Sequence, residues 1–286
     1  MFLTEMEMID NAVDEHPILV LGGTGKTGRR VADRLARAGH AVRIGSRSAQ
    51  PAFDWDNQAM WGPTLDGVRA VYVAFQPDLA VPGALETLKA FFAKAIDSGA
   101  HRIVLLSGRG EVEAEECEAA LRATSAEWTI LRASWFMQNF SESFWLDALL
   151  AGDMALPVGD IPEPFVDVED IADIAFAALT QWGHAFQRYD ITGPRALTFQ
   201  DAARGIAAAT GREIRFTQVP AEAYATELAR QGVPPVYVDL VMYLLTTVLD
   251  GRNTPLADGV ERALQRAPRD FSDYVSRTAA TGIWSA

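Results

Sequence analysis

From His16 to about Thr192, short runs of β-branched and leucine-rich residues alternate with helical stripes. That alternation is the signature of β-α-β units, in which strands covered on both faces are continuously apolar and the crossover helices repeat apolar positions every three or four residues. Residues 18–21, 41–44, 70–75, 102–106 and 129–131 are the predicted strands. Between the first two, Val31, Leu35 and Ala38 keep one helical face, and Gly39 stands where a helix terminus favours glycine. Leu85, Leu88, Phe91, Phe92 and Ala95 stripe a second helix that Gly99 closes.

Past Gly152 the texture changes, with Pro157, Pro162 and Pro164 in a polar stretch before a predicted helix over 168–180 and a strand over 189–192. Thr198, three residues before Asp201, has the spacing of a capping box with Asp in place of Glu. Helices are predicted over 221–231, 235–249 and 270–278. The expected fold is α/β, a Rossmann-like doubly wound parallel sheet with a smaller, mostly helical C-terminal substrate lobe. The divisions expected are a flexible tail over 1–15, a dinucleotide-binding domain over 16–152 and the lobe over 153–286, with 166–192 returning to the sheet.

Composition narrows the partners. At roughly 150 residues per domain, 286 residues amount to about two structural units. Hydrophobic residues at 49% and charged residues at 22% exclude a mainly disordered chain. Lys plus Arg number 25 against 38 Asp plus Glu, a net charge of −13 that repels a phosphate backbone, so nucleic acid is not an expected partner. The single cysteine, Cys117, cannot close an internal disulfide, and a reducing, cytoplasmic setting is expected. His16, His40, His101 and His184 share no ligand spacing, so no metal site is expected. Residues 1–15 lack the basic start and apolar middle of a signal peptide. The longest apolar run, 236–249, is interrupted by Asp239 and falls short of the about 20 residues that span a bilayer. It is expected to be a buried or lid helix, and its apolar surface suits either internal packing or self-association into a homo-oligomer.

The first strand leads directly into Gly22, Gly23, Thr24, Gly25, Lys26, Thr27 and Gly28, where Gly23, Gly25 and Gly28 satisfy G-x-G-x-x-G. After a strand and opening a helix, this spacing allows a tight turn, lets backbone N–H groups approach a pyrophosphate, and lets the helix pack on the strand. The helix N-terminus then attracts the anion. Gly25-Lys26-Thr27 also looks like the end of a Walker A loop, but that motif needs glycine where Val20 stands inside the strand. A dinucleotide is the expected ligand.

About 20 residues beyond the glycines, an NAD-selective site places a carboxylate on the ribose hydroxyls. Here the segment reads Ile44-Gly45-Ser46-Arg47-Ser48. Arg47, with Ser46 and helped by Lys26 or Arg29, is suited to a 2′-phosphate, so NADP(H) is favoured over NAD(H). Phe75, ending the third strand, is a further expected cofactor contact.

The Tyr-x-x-x-Lys dyad of ordinary short-chain dehydrogenases, in which lysine tunes a proton-relaying tyrosine, has no counterpart. The lysines are Lys26, Lys89 and Lys94, and Gly22, Leu85 and Ala90 stand four residues before them. Ser107, at the carboxyl end of the fourth strand, is the candidate catalytic residue and a further cofactor contact, since open α/β sheets bind ligands along that edge. The aromatic-rich segment from Trp135 to Trp145 suits a flat substrate. Phe136, Phe140 and Phe144 share a helical face and fit a core, whereas Trp135, Gln138 and Asn139 lie off that face and are the candidate substrate contacts.

Taken together, the glycine loop, Ser46-Arg47-Ser48, Phe53-Asp54-Trp55, the segments 129–132 and 135–140, and Val166-Asp167-Val168-Glu169-Asp170-Ile171-Ala172 resemble the NmrA-like atypical short-chain dehydrogenases. Within that group the chain looks most like the ergot-alkaloid type, the festuclavine and agroclavine dehydrogenases and their bacterial relatives. The resemblance covers residues 17–285. It implies a Rossmann domain with a C-terminal substrate lobe, a bound NAD(P)(H) and a small-molecule substrate. It also implies a departure: many members carry a lysine after the Ser107-type strand end, where residues 111–122 hold glutamates and no lysine. The leading expectation is an NAD(P)H-dependent oxidoreductase that passes hydride to a flat quinone, enone or imine, in secondary metabolism. The alternatives are a regulatory protein that senses the dinucleotide without turnover, and a tailoring enzyme, such as an oxygenase of aromatic polyketides, in which the dinucleotide is accessory.

Overall fold

The computed structural model describes residues 16–143 and 145–285. The expectations placed on the tail over 1–15 and on Phe144 lie outside the described residues. In chain order the elements are β1 Ile18–Leu21, α1 Lys26–Arg37, β2 Val42–Gly45, α2 Trp61–Leu65, β3 Ala70–Val73, α3 Ala84–Asp97, β4 Arg102–Gly108, α4 Val112–Arg122 and β5 Glu127–Ala133. There follow α5 Trp145–Ala151, β6 Asp153–Leu156, α6 Val168–Thr180, β7 Gln187–Ile191, α7 Phe199–Thr210, β8 Arg215–Gln218, α8 Ala221–Arg230, α9 Pro235–Tyr243, α10 Gly259–Leu264 and α11 Phe271–Ala279.

Six strands form one parallel sheet in the order β2-β1-β3-β4-β5-β7. Period-two alternation sends Ile18 and Val20 of β1 to one face, where they meet Val31 and Leu35 of α1 and Ile171 and Ala175 of α6. Leu19 and Leu21 go to the other face, against Leu65 of α2, Leu88 and Phe91 of α3 and Leu121 of α4. This is the Rossmann-like, doubly wound architecture predicted from the alternating pattern.

Strand order reverses between β1 and β3. The chain leaves β1 towards α1 on one face and leaves β3 towards α3 on the other, so the two loops diverge at the carboxyl edge. Such a switch point opens the crevice in which α/β sheets bind ligands.

A third apolar cluster joins Met137, Phe140, Trp145, Phe165, Phe199, Phe271 and Trp284 across the later helices. A feature absent from the predicted elements lies beside it, a small parallel sheet of β6 and β8. Thr198 and Asp201 close the capping box that opens α7. The helix predicted over 235–249 is not uniform: α9 ends at Tyr243 and Leu244–Val248 form a π turn. None of the α9 residues is buried, so of the two expected roles the structure supports a cover rather than a core helix. Among the described residues no helix is long and apolar enough to cross a membrane.

Candidate active site

Two cavities meet at the switch point. One, of about 550 Å³, is lined by Gly22, Thr24, the strand end Gly45 to Ser48, Phe53 to Asp56, Phe75, Gln76 and Tyr237. The other, of about 470 Å³, is lined by Gly25, Lys26, Thr27, Asp78, Ser107, Glu111, Trp135, Asn139 and, from α9, Tyr237, Leu240 and Val241, among others. Gly22, Phe75, Gln76, Pro77 and Tyr237 border both, so the cavities are two halves of one groove under α9.

The glycines divide their work. Gly22 turns with φ of +66°, a left-handed conformation that favours glycine. At Gly28 a Cβ would fall 2.2 Å from the Gly22 carbonyl oxygen, so that glycine serves the packing of α1 on the loop. Gly23 is buried against Ile44 in the same way. Gly25 borders the groove and begins α1, with no side-chain cap on the helix and no acid in its first turn. An uncapped helix start beside a side-chain-free turn has N–H groups and a positive dipole end to offer an anion. The residues present therefore fit a dinucleotide pyrophosphate, with Thr24, Gly25, Lys26 and Thr27 around it.

Arg47 is exposed and shares its half of the groove with Ser46 and Ser48, and among the described residues no carboxylate pairs with it. The help expected from two other cations is not there. Arg29 is held by Glu142 at 2.5 Å, and Lys26 lines the opposite half of the groove. Burial lowers the Lys26 ammonium below its usual range, partly offset by the Glu142 charge. Phe75 lies on the boundary of the two halves, with its ring 4.8 Å from that of Trp55.

Ser107 lines the inner half, but its hydroxyl donates to Glu118 Oε1 at 2.7 Å. Toward the groove it has only lone pairs left to offer. Trp135 and Asn139 are half-buried and border the groove, Trp135 stacking on Trp145 at 5.5 Å. Gln138 does not join them. Its side chain is buried, donates to Asp167 at 2.7 Å and accepts from the Val168 N–H, so it fastens the start of α6 instead of facing a substrate. The strict helical spacing assumed for this segment fails because residues 137–140 form a single 3₁₀ turn.

Two acids on the groove were not among the candidate residues: Asp78 after β3 and Glu111 before α4. Their signal in the sequence is position alone, since each follows a strand at its carboxyl end. Burial raises both carboxyls, Glu111 well above the ordinary range with the Asp78 charge adding to its shift, while at Asp78 the Ala80 N–H and the contact with Glu111 work against the rise.

The chain shares this architecture with solved structures. It superposes on an NADPH-dependent quinone oxidoreductase of Escherichia coli in complex with NADPH with a TM-score of 0.76 at 18% identity, covering 91% of this chain and 99% of that one. A triphenylmethane reductase of Citrobacter sp., complexed with NADP(H), gives 0.72 at 18% identity, covering 92% and 99%. By sequence it is 29% identical to the uncharacterized oxidoreductase YesF of Bacillus subtilis, over 95% of this chain and 99% of that protein. It is 30% identical to festuclavine dehydrogenase of Aspergillus fumigatus, over 92% and 98%. The NmrA-like family model matches residues 113–275, more than half of the chain. With that match, the full-length relatives and the glycine-loop groove of a doubly wound sheet, the chain belongs to the NmrA-like family.

Proposed function

We propose that this chain is an NAD(P)H-dependent oxidoreductase that reduces a flat aromatic or alicyclic small molecule at an unsaturated centre. The observation that carries this reading is the continuity of the groove. Its outer half has an arginine and two serines at a strand end, its middle has an uncapped helix start, and its inner half has aromatic walls. A bound nicotinamide supplies hydride. The protein's part is to orient the acceptor, and orientation alone contributes about 7–11 kcal/mol to such reactions. Trp135, Phe136 and Tyr237 give the acceptor a flat apolar bed, and α9 covers it from solvent.

NADP(H) is the favoured partner because Arg47, with Ser46 and Ser48, offers charge-assisted hydrogen bonds to a 2′-phosphate where no carboxylate follows β2 directly. Relatives named festuclavine dehydrogenase, agroclavine dehydrogenase and NAD(P)H azoreductase support the acceptor class without fixing its identity. The test is to incubate the protein with NADPH and a panel of quinones, enones and cyclic imines while following cofactor absorbance. Turnover with at least one class is the expected result. Tight NADPH binding with no turnover across the panel would overturn the enzyme reading in favour of a dinucleotide sensor.

A further inference from the structure

Asp78 and Glu111 stand at the ends of neighbouring strands, and both border the inner half of the groove. Glu111 is 7% exposed, and its Oε2 atom is buried with no hydrogen-bond donor in reach among the described residues. The carboxyl that faces Glu111 on the same cavity is that of Asp78, close enough for the two side chains to act on each other. An ionised carboxylate only accepts, so two such groups facing each other are stable only with a proton between them. Gly108 makes the arrangement fit, because a Cβ there would fall 1.9 Å from Glu111 Oε1.

The surroundings hold that proton in place. The charges acting on Glu111 come from Asp78 and Glu113, both negative. Glu113 accepts from the Tyr243 hydroxyl of α9 at 2.8 Å, and burial and that contact push the phenol up to about 12. Arg252, on the segment packed over this turn, is engaged with Asp250 at 2.7 Å and the Gly110 carbonyl at 3.4 Å. Asp78 Oδ1 accepts from the Ala80 N–H at 2.9 Å, which makes Asp78 the better anion of the two.

We propose that Asp78 and Glu111 share one proton and act together as the general acid of the reduction, an assignment that rests on the oxidoreductase reading above. Two nearby hydroxyls are already committed: Ser107, on the groove, donates to Glu118, and Tyr243, on α9 beside it, donates to Glu113. Lys26 belongs to the phosphate-facing turn. In the step, the acceptor carbon gains a hydride with its electron pair from NAD(P)H, and the C=O or C=N π pair moves onto the heteroatom. That heteroatom takes the shared proton. The pair is left as two carboxylates and recovers one proton from solvent, so one hydride and one proton are added per turnover. The proton belongs to the pair and not to either residue.

Two measurements test this. Infrared spectra of the ligand-free protein at neutral pH should contain protonated-carboxyl intensity that is lost in Glu111→Gln, beyond the Glu163 contribution that both proteins keep. In turnover, Glu111→Gln should lower kcat by about 100-fold, within the range of a lost general acid, and abolish the alkaline limb of the pH profile while NADPH affinity is unchanged. Asp78→Asn removes a like charge and should move that limb to lower pH, which keeps the proposal testable if Glu111→Gln folds poorly. Glu116→Gln, exposed on α4, is the control and should match the parent chain. No loss of protonated-carboxyl intensity in Glu111→Gln, or variants with the parent kcat and pH profile, would overturn the pair. A parent chain that binds NADPH and reduces no acceptor overturns the oxidoreductase reading, and the pair's role with it.

Discussion

The Ser107 hydroxyl and the fully buried Glu118 carboxylate are joined at 2.7 Å, and Arg132 closes the same carboxylate from the other side at 2.8 and 2.5 Å. Glu118 of α4 thus ties the ends of β4 and β5 together behind the groove. Removing it strands a guanidinium only 10% exposed, for which the weaker Glu115 contact at 3.1 Å is partial relief. Glu118→Ala should therefore cost about 3 kcal/mol of stability, near the low end for a broken buried pair. Ser107→Ala leaves the ion pair intact and should cost about 1 kcal/mol. Urea unfolding of the three proteins checks both. Because the Ser107 proton is already committed, Ser107→Ala should also leave the pH profile of turnover unchanged, and a lost limb would make Ser107 the acid after all.

The proposed preference for NADP(H) rests on Arg47. Its guanidinium is exposed beside Ser46 and Ser48, and neither Arg29 nor Lys26 reaches that half of the groove as a free partner. A hydrogen bond to a charged group is worth about 1.5–3 kcal/mol, so Arg47→Ala should weaken NADPH binding by about 10- to 100-fold. NADH lacks the 2′-phosphate and should bind equally to both proteins. Isothermal titration with the two cofactors gives the comparison, and a parallel loss for both would remove Arg47 from the discrimination.

Two glycines of one loop should fail in different ways. At Gly25 the backbone is an ordinary extended conformation, and a Cβ would sit 3.2 Å from the Gly22 carbonyl and 3.7 Å from Gln76 Nε2, at the groove. Gly25→Val should fold, with at most a small loss of stability, and lose dinucleotide binding. At Gly28 the added carbon collides with the Gly22 carbonyl at 2.2 Å, so Gly28→Ala should cost about 1–3 kcal/mol through overpacking. Thermal unfolding with and without NADPH separates the cases: ligand-induced stabilisation disappears in the first, and the unliganded midpoint drops in the second.

These contrasts also mark what the sequence carried. The parallel sheet was legible because strands such as Ile18–Leu21 are buried on both faces and read as unbroken apolar runs. The loop was legible because tight approach to Gly22 admits glycine alone at 28, which spacing records directly. Gln138 was misread because helical spacing was assumed for a segment that makes one 3₁₀ turn, so its amide points to α6. Asp78 and Glu111 escaped because their pairing depends on two loops that are distant in sequence and adjacent only across β3 and β4. The β6–β8 pair escaped for a like reason, since four-residue strands such as Asp153–Leu156 carry little periodicity of their own.

Stability should fall with rising pH through a different carboxyl, Glu163. It is 1% exposed, accepts from the Trp135 N–H at 3.4 Å, and is pushed by burial from its ordinary 4.5 up to about 7, against the opposing charge of Arg109. Below the ordinary value both the folded and the unfolded chain carry the proton, and the contribution is fully present. Between 4.5 and about 7 only the folded chain keeps it, so the native state binds more protons and stability declines as pH rises through that window. At 1.36 kcal/mol per unit the decline attributable to this group is about 3 kcal/mol. Glu163→Gln replaces the neutral acid with a neutral amide that does not titrate. Denaturant unfolding at pH 5 and pH 8 should therefore show the parent chain losing about 3 kcal/mol more than the variant between the two conditions. Equal losses would mean that Glu163 is ionised in the fold and that Arg109, not a proton, balances it beneath Trp135.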